Sequence, residues 1–449
     1  MADQSIIRIT KEIGDIQKSS DLSLAVAFKD RDVRNVKALI IGPHETPYEF
    51  GFFEFAVKFN KEYPRKSPAV TGTTTNGGRC RFNPNIYANG KETRTWRGER
   101  GEEWSAAQGL ESILLSIQSL MSSNPYENEP GFEDANEPSD KKNQKDYVAK
   151  VGLTPIRHET LRISIIQKLE EFLGITGNGV VVPSAVERAE YGLDTDDFDV
   201  DDASVPWEPF KDLYKRRFLW YYDSYLETIR KAKEEVKDGQ VFARMPFEGS
   251  SNSMEGKFNY TELERRLRQI KATLDDEANR WALEGATPKF KDATVGINLA
   301  RQFEQIKESF KRSDVPHNIE LENGNAFVWH LTYFGRPMTN LDGGLFRIKL
   351  NFSPRFPEEQ PRVKFETRVF HHRIAADGTP CYFPNPNRRE DVKQHIEAII
   401  EALEEEAPPY DPRTLVQPEA HKLFWGSPDD RKMYNRRLRR SVQQSMEDM

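Results

Sequence analysis

Gly51-Phe52-Phe53-Glu54-Phe55-Ala56-Val57-Lys58-Phe59 and Gly344-Leu345-Phe346-Arg347-Ile348-Lys349-Leu350-Asn351-Phe352 are one segment written twice. At an offset of 293 residues Gly51 falls on Gly344, Phe53 on Phe346 and Phe59 on Phe352. The identities continue through Pro64 and Pro357, Pro68 and Pro361, and Val70 and Val363. Both copies are apolar at every second position, the period of a strand with one buried face. Solenoid repeats have periods of about 20 to 50 residues, so an offset this long marks a duplicated domain.

The flanks repeat as well. Before the first copy, Ile6, Ile9, Ile13 and Ile16 are spaced for one face of a helix, as are Leu299, Phe303, Ile306 and Phe310 before the second. Alternating segments follow at 22–28 and 327–333, then Gly/Pro turns at Gly42-Pro43 and from Gly335 to Pro337. Downstream, Leu110, Ile113, Leu114, Ile117 and Leu120 predict one helix, and Val392, Ile396, Ile399, Ile400 and Leu403 predict another. Helix, antiparallel strands, then helices is an α+β order.

Between the copies, 177–206 is acidic and turn-rich, which reads as a solvated linker. Long helical patterns occupy 210–237 and 260–283, with a Gly/Ser loop around Gly249. The aromatic run Phe218-Leu219-Trp220-Tyr221-Tyr222 is read as core packing. The expected domains are 1–175, an acidic linker with a helical extension at 176–290, and 291–449.

Composition narrows the function. A chain of 449 residues exceeds the roughly 250 to 300 that one core supports. Its 27 Phe and 15 Tyr supply apolar mass for more than one. A net charge of -7 argues against general nucleic-acid binding, which needs excess Lys and Arg. Residues 1–10 carry no secretion pattern, and no stretch approaches the about 18 apolar residues of a membrane span. Two cysteines, Cys80 and Cys381, make neither a disulfide framework nor a four-ligand zinc site. A reducing compartment, cytosol or nucleus, is expected.

Three motifs in the first copy resemble the ubiquitin-conjugating enzyme family. They are Thr46-Pro47-Tyr48-Glu49-Phe50-Gly51, Tyr63-Pro64 with Pro68, and Phe82-Asn83-Pro84-Asn85. Trp104-Ser105, the run from Asn124 to Phe132, and Phe258, Tyr260, Leu263 and Leu267 are similar to the large class Z branch over about residues 1–285. The second copy resembles only the general family pattern. The resemblance implies two cores, each an N-terminal helix, a four-stranded antiparallel sheet and C-terminal helices, joined by a helical insert.

In that family the reactive cysteine stands eight residues after the loop Asn. In the first copy this count runs from Asn85 to Thr93, a hydroxyl that is a weak nucleophile without an activating base. This copy is expected to form no thioester. Cys80, where the family carries a plain apolar residue, is read as core. In the second copy the loop motif falls on His371-His372-Arg373, and eight residues past Arg373 stands Cys381. One offset, 288, joins both Thr93 to Cys381 and Asn85 to Arg373.

The resemblance implies that Cys381 accepts ubiquitin or a ubiquitin-like protein from an activating enzyme and passes it to a lysine or a ligase. No metal or nucleotide is expected on this chain, since ATP is consumed by the activating enzyme. Arg373 stands in place of the family's Asn. It either offers donors to the oxyanion and lowers the thiol pKa, or points to solvent and weakens activity. His371 matches the loop-bracing His. Asp377, Glu390 and Asp391 are carboxylates placed to help deprotonate an incoming lysine. After Cys381 the family's apolar run and Trp-Ser-Pro give way to Tyr382-Phe383-Pro384-Asn385-Pro386-Asn387, while Asp411-Pro412 and Gln417-Pro418-Glu419-Ala420 restore its closing pattern. The basic run 431–440 is read as a solvated helix face. The first copy is expected to be a docking module for ubiquitin, activating enzyme or ligase. The alternative is a scaffold in which neither copy is active.

Overall fold

The computed structural model describes residues 4–19, 21–83, 104–129, 138, 141, 155–177, 179–182, 207–242, 255–291, 293–312 and 317–447. The chain divides into two compact units, 1–210 with 227–270, and 211–226 with 271–449. Within the segment read as an acidic linker with a helical extension, 176–290, residues 227–270 fall in the first unit and 211–226 and 271–290 in the second.

In the first unit, the helix Gln4–Lys18 buries Ile9, Ile13 and Ile16. Ile6, placed on the same face by its spacing, is exposed. Four antiparallel strands follow in sequential order: β1 (Leu24–Lys29), β2 (Asp32–Ile41), β3 (Phe52–Lys58) and β4 (Ala69–Gly72). The helix Leu110–Leu120 buries Leu110, Ile113, Leu114 and Ile117, which are spaced 3, 1 and 3 along one stripe. A helical stretch over 155–173 widens to π geometry at Thr160–Gln167, where the Ser164 hydroxyl accepts the Phe52 backbone N–H at 3.2 Å.

The second unit repeats the plan. Its opening helix, Thr294–Arg312, buries Leu299, Phe303 and Ile306. A sheet of β5 (Asn318–Leu321), β6 (Val328–Phe334), β7 (Leu345–Asn351) and β8 (Arg362–Phe365) follows in sequential antiparallel order. The helices Val392–Glu404, Pro418–Phe424 and Pro428–Glu447 complete it. Trp329 is fully buried in the core, edge-on to Phe303 at 5.2 Å. Asp391 caps the Val392–Glu404 helix by accepting the Lys393 N–H.

The sheets repeat in register as well as in order. Ile40 pairs with Phe53 and Tyr333 with Phe346, while Val57 pairs with Val70 and Leu350 with Val363. Each of these pairs recurs at the offset of 293. The turns match too. Gly42 donates to the Gly51 carbonyl and Gly335 to the Gly344 carbonyl, both at 2.8 Å. A Cβ at Gly42 would strike the Tyr48 carbonyl, and one at Gly335 the Leu341 carbonyl. That close backbone approach is why both turns carry glycine at this position.

Residues 211–226 of the helix Lys211–Glu235 and 271–285 of the helix Tyr260–Gly285 belong to the second unit. Arg362 of β8 pairs with Asp212 at 2.9 Å, and Lys215, fully buried, pairs with Glu277 and so ties the two helical segments to each other. Among the described residues no helix is long and apolar enough to cross a membrane.

Candidate functional site around Cys381

Beyond β8 the chain folds into a loop whose backbone bonds to itself. The Phe365 N–H donates to the Gly378 carbonyl at 2.8 Å, and Ala375 to Thr379 at 2.9 Å. Gly378 has φ +92 and packs directly on the Phe365 carbonyl, a place that admits no Cβ. The next link sets the site, for the Cys381 N–H donates to the Arg373 carbonyl at 2.7 Å. Two residues eight apart in sequence are thereby neighbours.

His371 supports this loop from below. Its Nδ1 accepts the Arg373 backbone N–H at 3.1 Å, which leaves the ring proton on Nε2. Burial, helped by the charges of Arg373 and Arg431, lowers its pKa to about 3, so the ring is neutral. His372 stacks on Phe424 at 3.7 Å, and burial holds it neutral too. Neither ring is placed as a base.

The Arg373 side chain is buried and does not reach into solvent. Its Nη2 donates to Glu405 at 2.9 Å and its guanidinium lies 5.0 Å from the Phe383 ring centroid. Nε and Nη1 face no oxygen acceptor. The Cys381 thiol is 0% exposed. Burial raises its pKa, against the downward pull of the nearby Arg373 and Arg217 guanidiniums. The resting sulfur is a protonated thiol.

Arg217 comes from the helix Lys211–Glu235, far from any motif of the loop. It lies over Trp220 at 4.1 Å, Trp220 meets Phe383 edge-on at 5.6 Å, and Phe383 in turn faces Arg373. Sequence reading took Trp220 and Tyr221 for core and passed over Arg217. They are buried, and Trp220 packs on Phe383, two residues after Cys381. Glu405 and Asp411 were also missed as neighbours of this centre; Asp411 acts on the thiol by charge and is itself bound to Arg413 at 2.8 Å.

Two of the three carboxylates suggested for lysine activation, Asp377 and Asp391, are engaged by other groups. Asp377 pairs with Lys271 at 2.8 Å and accepts the Thr379 N–H at 2.9 Å. Burial opposes its charge, but Lys271 and these bonds prevail and its pKa is lowered, which makes it a poor proton acceptor. Asp391 serves its helix cap and pairs with Arg388 at 2.6 Å; Glu390 is exposed. In the basic helix, Arg437 pairs with Glu419 and Arg439 donates to Asn340 at 3.0 Å.

Asn85 and Thr93, the corresponding site of the first copy, lie outside the described residues. The motif leading to them is anchored: Asn83 Nδ2 donates to the Tyr48 hydroxyl at 3.1 Å and to the Leu120 carbonyl at 2.8 Å. Cys80 is buried beside Phe82, a thiol among core side chains. No group of three or more His, Cys, Asp or Glu among the described residues is arranged to hold a metal ion.

Comparison with known proteins agrees with both copies. The family model described as ubiquitin-conjugating enzyme matches residues 8–154 and 299–405. Ubiquitin-conjugating enzyme E2 Z of Danio rerio is 34% identical over 275 residues, 61% of this chain and 70% of that protein. E2 Z of Homo sapiens is 42% identical over 170 residues, 38% of this chain, so that the chain spans 46% of the human protein. The solved structure of human ubiquitin-conjugating enzyme E2 G1 aligns over 97% of its length and 27% of this chain, at 24% identity and a TM-score of 0.25. The enzyme class expected from the motifs is the one these relatives bear. With both cores matched and the class Z likeness running through the first, the chain belongs to the ubiquitin-conjugating enzyme family.

Proposed function

We propose that this chain carries ubiquitin or a ubiquitin-like protein as a thioester on Cys381, and that its first core is a docking module without a thioester of its own. The observation that carries the proposal is the Cys381 to Arg373 backbone bond, which brings the single loop cysteine of the second copy beside a buried guanidinium. In the first transfer the Cys381 sulfur attacks the carbonyl carbon of a thioester on the activating enzyme. The new C–S bond forms, and the activating enzyme's sulfur leaves and takes up the proton. In the second, a lysine amine attacks the same carbon, the amide forms, and Cys381 departs as thiolate while the amine gives its proton to solvent.

Within this reading Arg373 offers Nε and Nη1 to the oxyanion of each tetrahedral intermediate. His371, neutral and hydrogen-bonded, positions the loop and takes no proton. The partners are the modifier, its activating enzyme, a ligase and protein substrates, in cytosol or nucleus. ATP acts on the activating enzyme and not here. Thr93 in the first core leaves that copy to bind and not to carry.

One observation favours a second reading. A thiol with 0% exposure and a raised pKa is an inert thiol as it stands, and a recognition module needs nothing more. The test mixes the full chain with activating enzyme, ATP and ubiquitin and resolves the product on a non-reducing gel. A thiol-sensitive adduct lost in Cys381→Ala supports the carrier. An adduct that survives Cys381→Ala and vanishes in Cys80→Ala overturns the assignment, and no adduct from any modifier leaves recognition.

A further inference from the structure

We infer that residues 211–226 are a cover over Cys381 that must leave before the thiol can react. The purpose of the cover rests on the carrier reading above; its existence rests on contacts within the second unit. Three of these contacts straddle the cysteine. Asp223 Oδ2 accepts the Ala376 N–H at 3.0 Å, on the loop before it. Trp220 meets Phe383 at 5.6 Å, two residues after it. The Tyr221 hydroxyl donates to the Arg413 carbonyl at 2.8 Å, on the segment beside Asp411. With the helix so placed the sulfur is 0% exposed, and neither another protein's C-terminal tail nor a lysine can reach it.

The same segment carries a feature that opposes its own docking. Arg217 is buried, its Nε and Nη1 lack an acceptor, and its guanidinium lies over the Trp220 face. Guanidinium donors withdrawn from water without acceptors disfavour the closed position. Asp212 and Lys215, by contrast, are matched to Arg362 and Glu277, so the start of the segment is held and the stretch over the thiol is the less satisfied part. Closure kept by packing against a buried guanidinium that is short of acceptors is a poised arrangement. It releases at modest cost when a partner offers better contacts.

The experiment follows modification of Cys381 by N-ethylmaleimide in the full chain, with the peptide identified by mass spectrometry so that Cys80 needs no change. Rates are taken across a pH series, because a cover slows even the thiolate whereas a shifted ionisation does not. The wild type is expected to react at least about 100-fold slower than the urea-unfolded chain. Trp220→Ala and, as the milder change, Asp223→Ala are each expected to speed the folded protein about 10-fold or more, with circular dichroism melting used to show that they fold. Reaction of the native wild type at the unfolded rate, or folded variants that both react as slowly as wild type, overturns the cover. The labelling needs no activating enzyme, so its outcome is separate from that of thioester formation. A variant that labels fast yet never takes ubiquitin keeps the cover and removes the carrier reading.

Discussion

The backbone N–H of Cys381 donates to the carbonyl of Arg373 at 2.7 Å, and this bond does not depend on either side chain. Arg373→Gln therefore keeps the loop while removing the charge. Loss of the guanidinium leaves burial less opposed at the thiol, so the pH at which Cys381 becomes a thiolate moves further up. If Arg373 also serves the oxyanion, transfer from preformed thioester to lysine falls by about 100-fold, the scale for losing one such donor. Single-turnover discharge measured on matched amounts of thioester separates this from the loading defect. Discharge unchanged in the variant refutes the oxyanion role.

Lys215 and Glu277 form a buried pair, with Arg362 also near Glu277 at 3.6 Å and joined to Asp212. Removing one member strands a charge in the interior. Lys215→Met is expected to destabilise the second unit by about 3 to 5 kcal/mol, measured by urea unfolding. The double variant Lys215→Met with Glu277→Gln is expected to recover much of that loss, since no uncompensated carboxylate then remains. Equal destabilisation by single and double variants would contradict a charge-based account.

Period and spacing made the cores legible. Alternation at Phe53, Phe55 and Val57 is a property of one strand, and its recurrence at Phe346, Ile348 and Leu350 located the second sheet with its register. The nearness of Cys381 to Arg373 was legible for the same reason, because a separation of eight residues is local. What surrounds Cys381 was not legible. Arg217 and Trp220 come from a helix whose own pattern reports only a buried face, Glu405 follows the end of another, and nothing in a helical period says which surface will meet it. The division of the helical segment between the two units was hidden likewise, since Lys211–Glu235 reads as one uninterrupted amphipathic helix. The partner of Asp377 was hidden for a related cause: proximity in sequence to Cys381 does not disclose the ion pair with Lys271.

The matched turns supply a paired prediction. Gly42→Ala and Gly335→Ala each drive a methyl group onto a carbonyl, of Tyr48 and Leu341 respectively. Each is expected to destabilise its own unit by about 1 to 3 kcal/mol, the scale of enforced local backbone strain. Because the turns are related by duplication, the two losses should be similar, and each should appear in amide hydrogen exchange of its own sheet with the other sheet unaffected. A loss confined to one copy would mean that the turns are not equivalent.

Acid should weaken the second unit before it weakens any surface ion pair. His371 has its pKa lowered by burial, and by Arg373 and Arg431, from an ordinary 6.5 to about 3, and His395 is lowered by burial to about 4. In the unfolded chain both rings take up a proton as pH falls through about 6.5, while in the folded chain they do not until far lower. The unfolded state thus binds more protons across this window, and stability falls with pH from about 6.5 down to about 4 for His395 and about 3 for His371. Each ring contributes a slope approaching about 1.4 kcal/mol per pH unit in the middle of its window. Neutral His371 accepts the Arg373 N–H, so His371→Asn retains an acceptor while discarding the titration. Urea midpoints compared between pH 7 and pH 5 should drop less in this variant than in the wild type. Parallel drops would place the acid sensitivity on other groups.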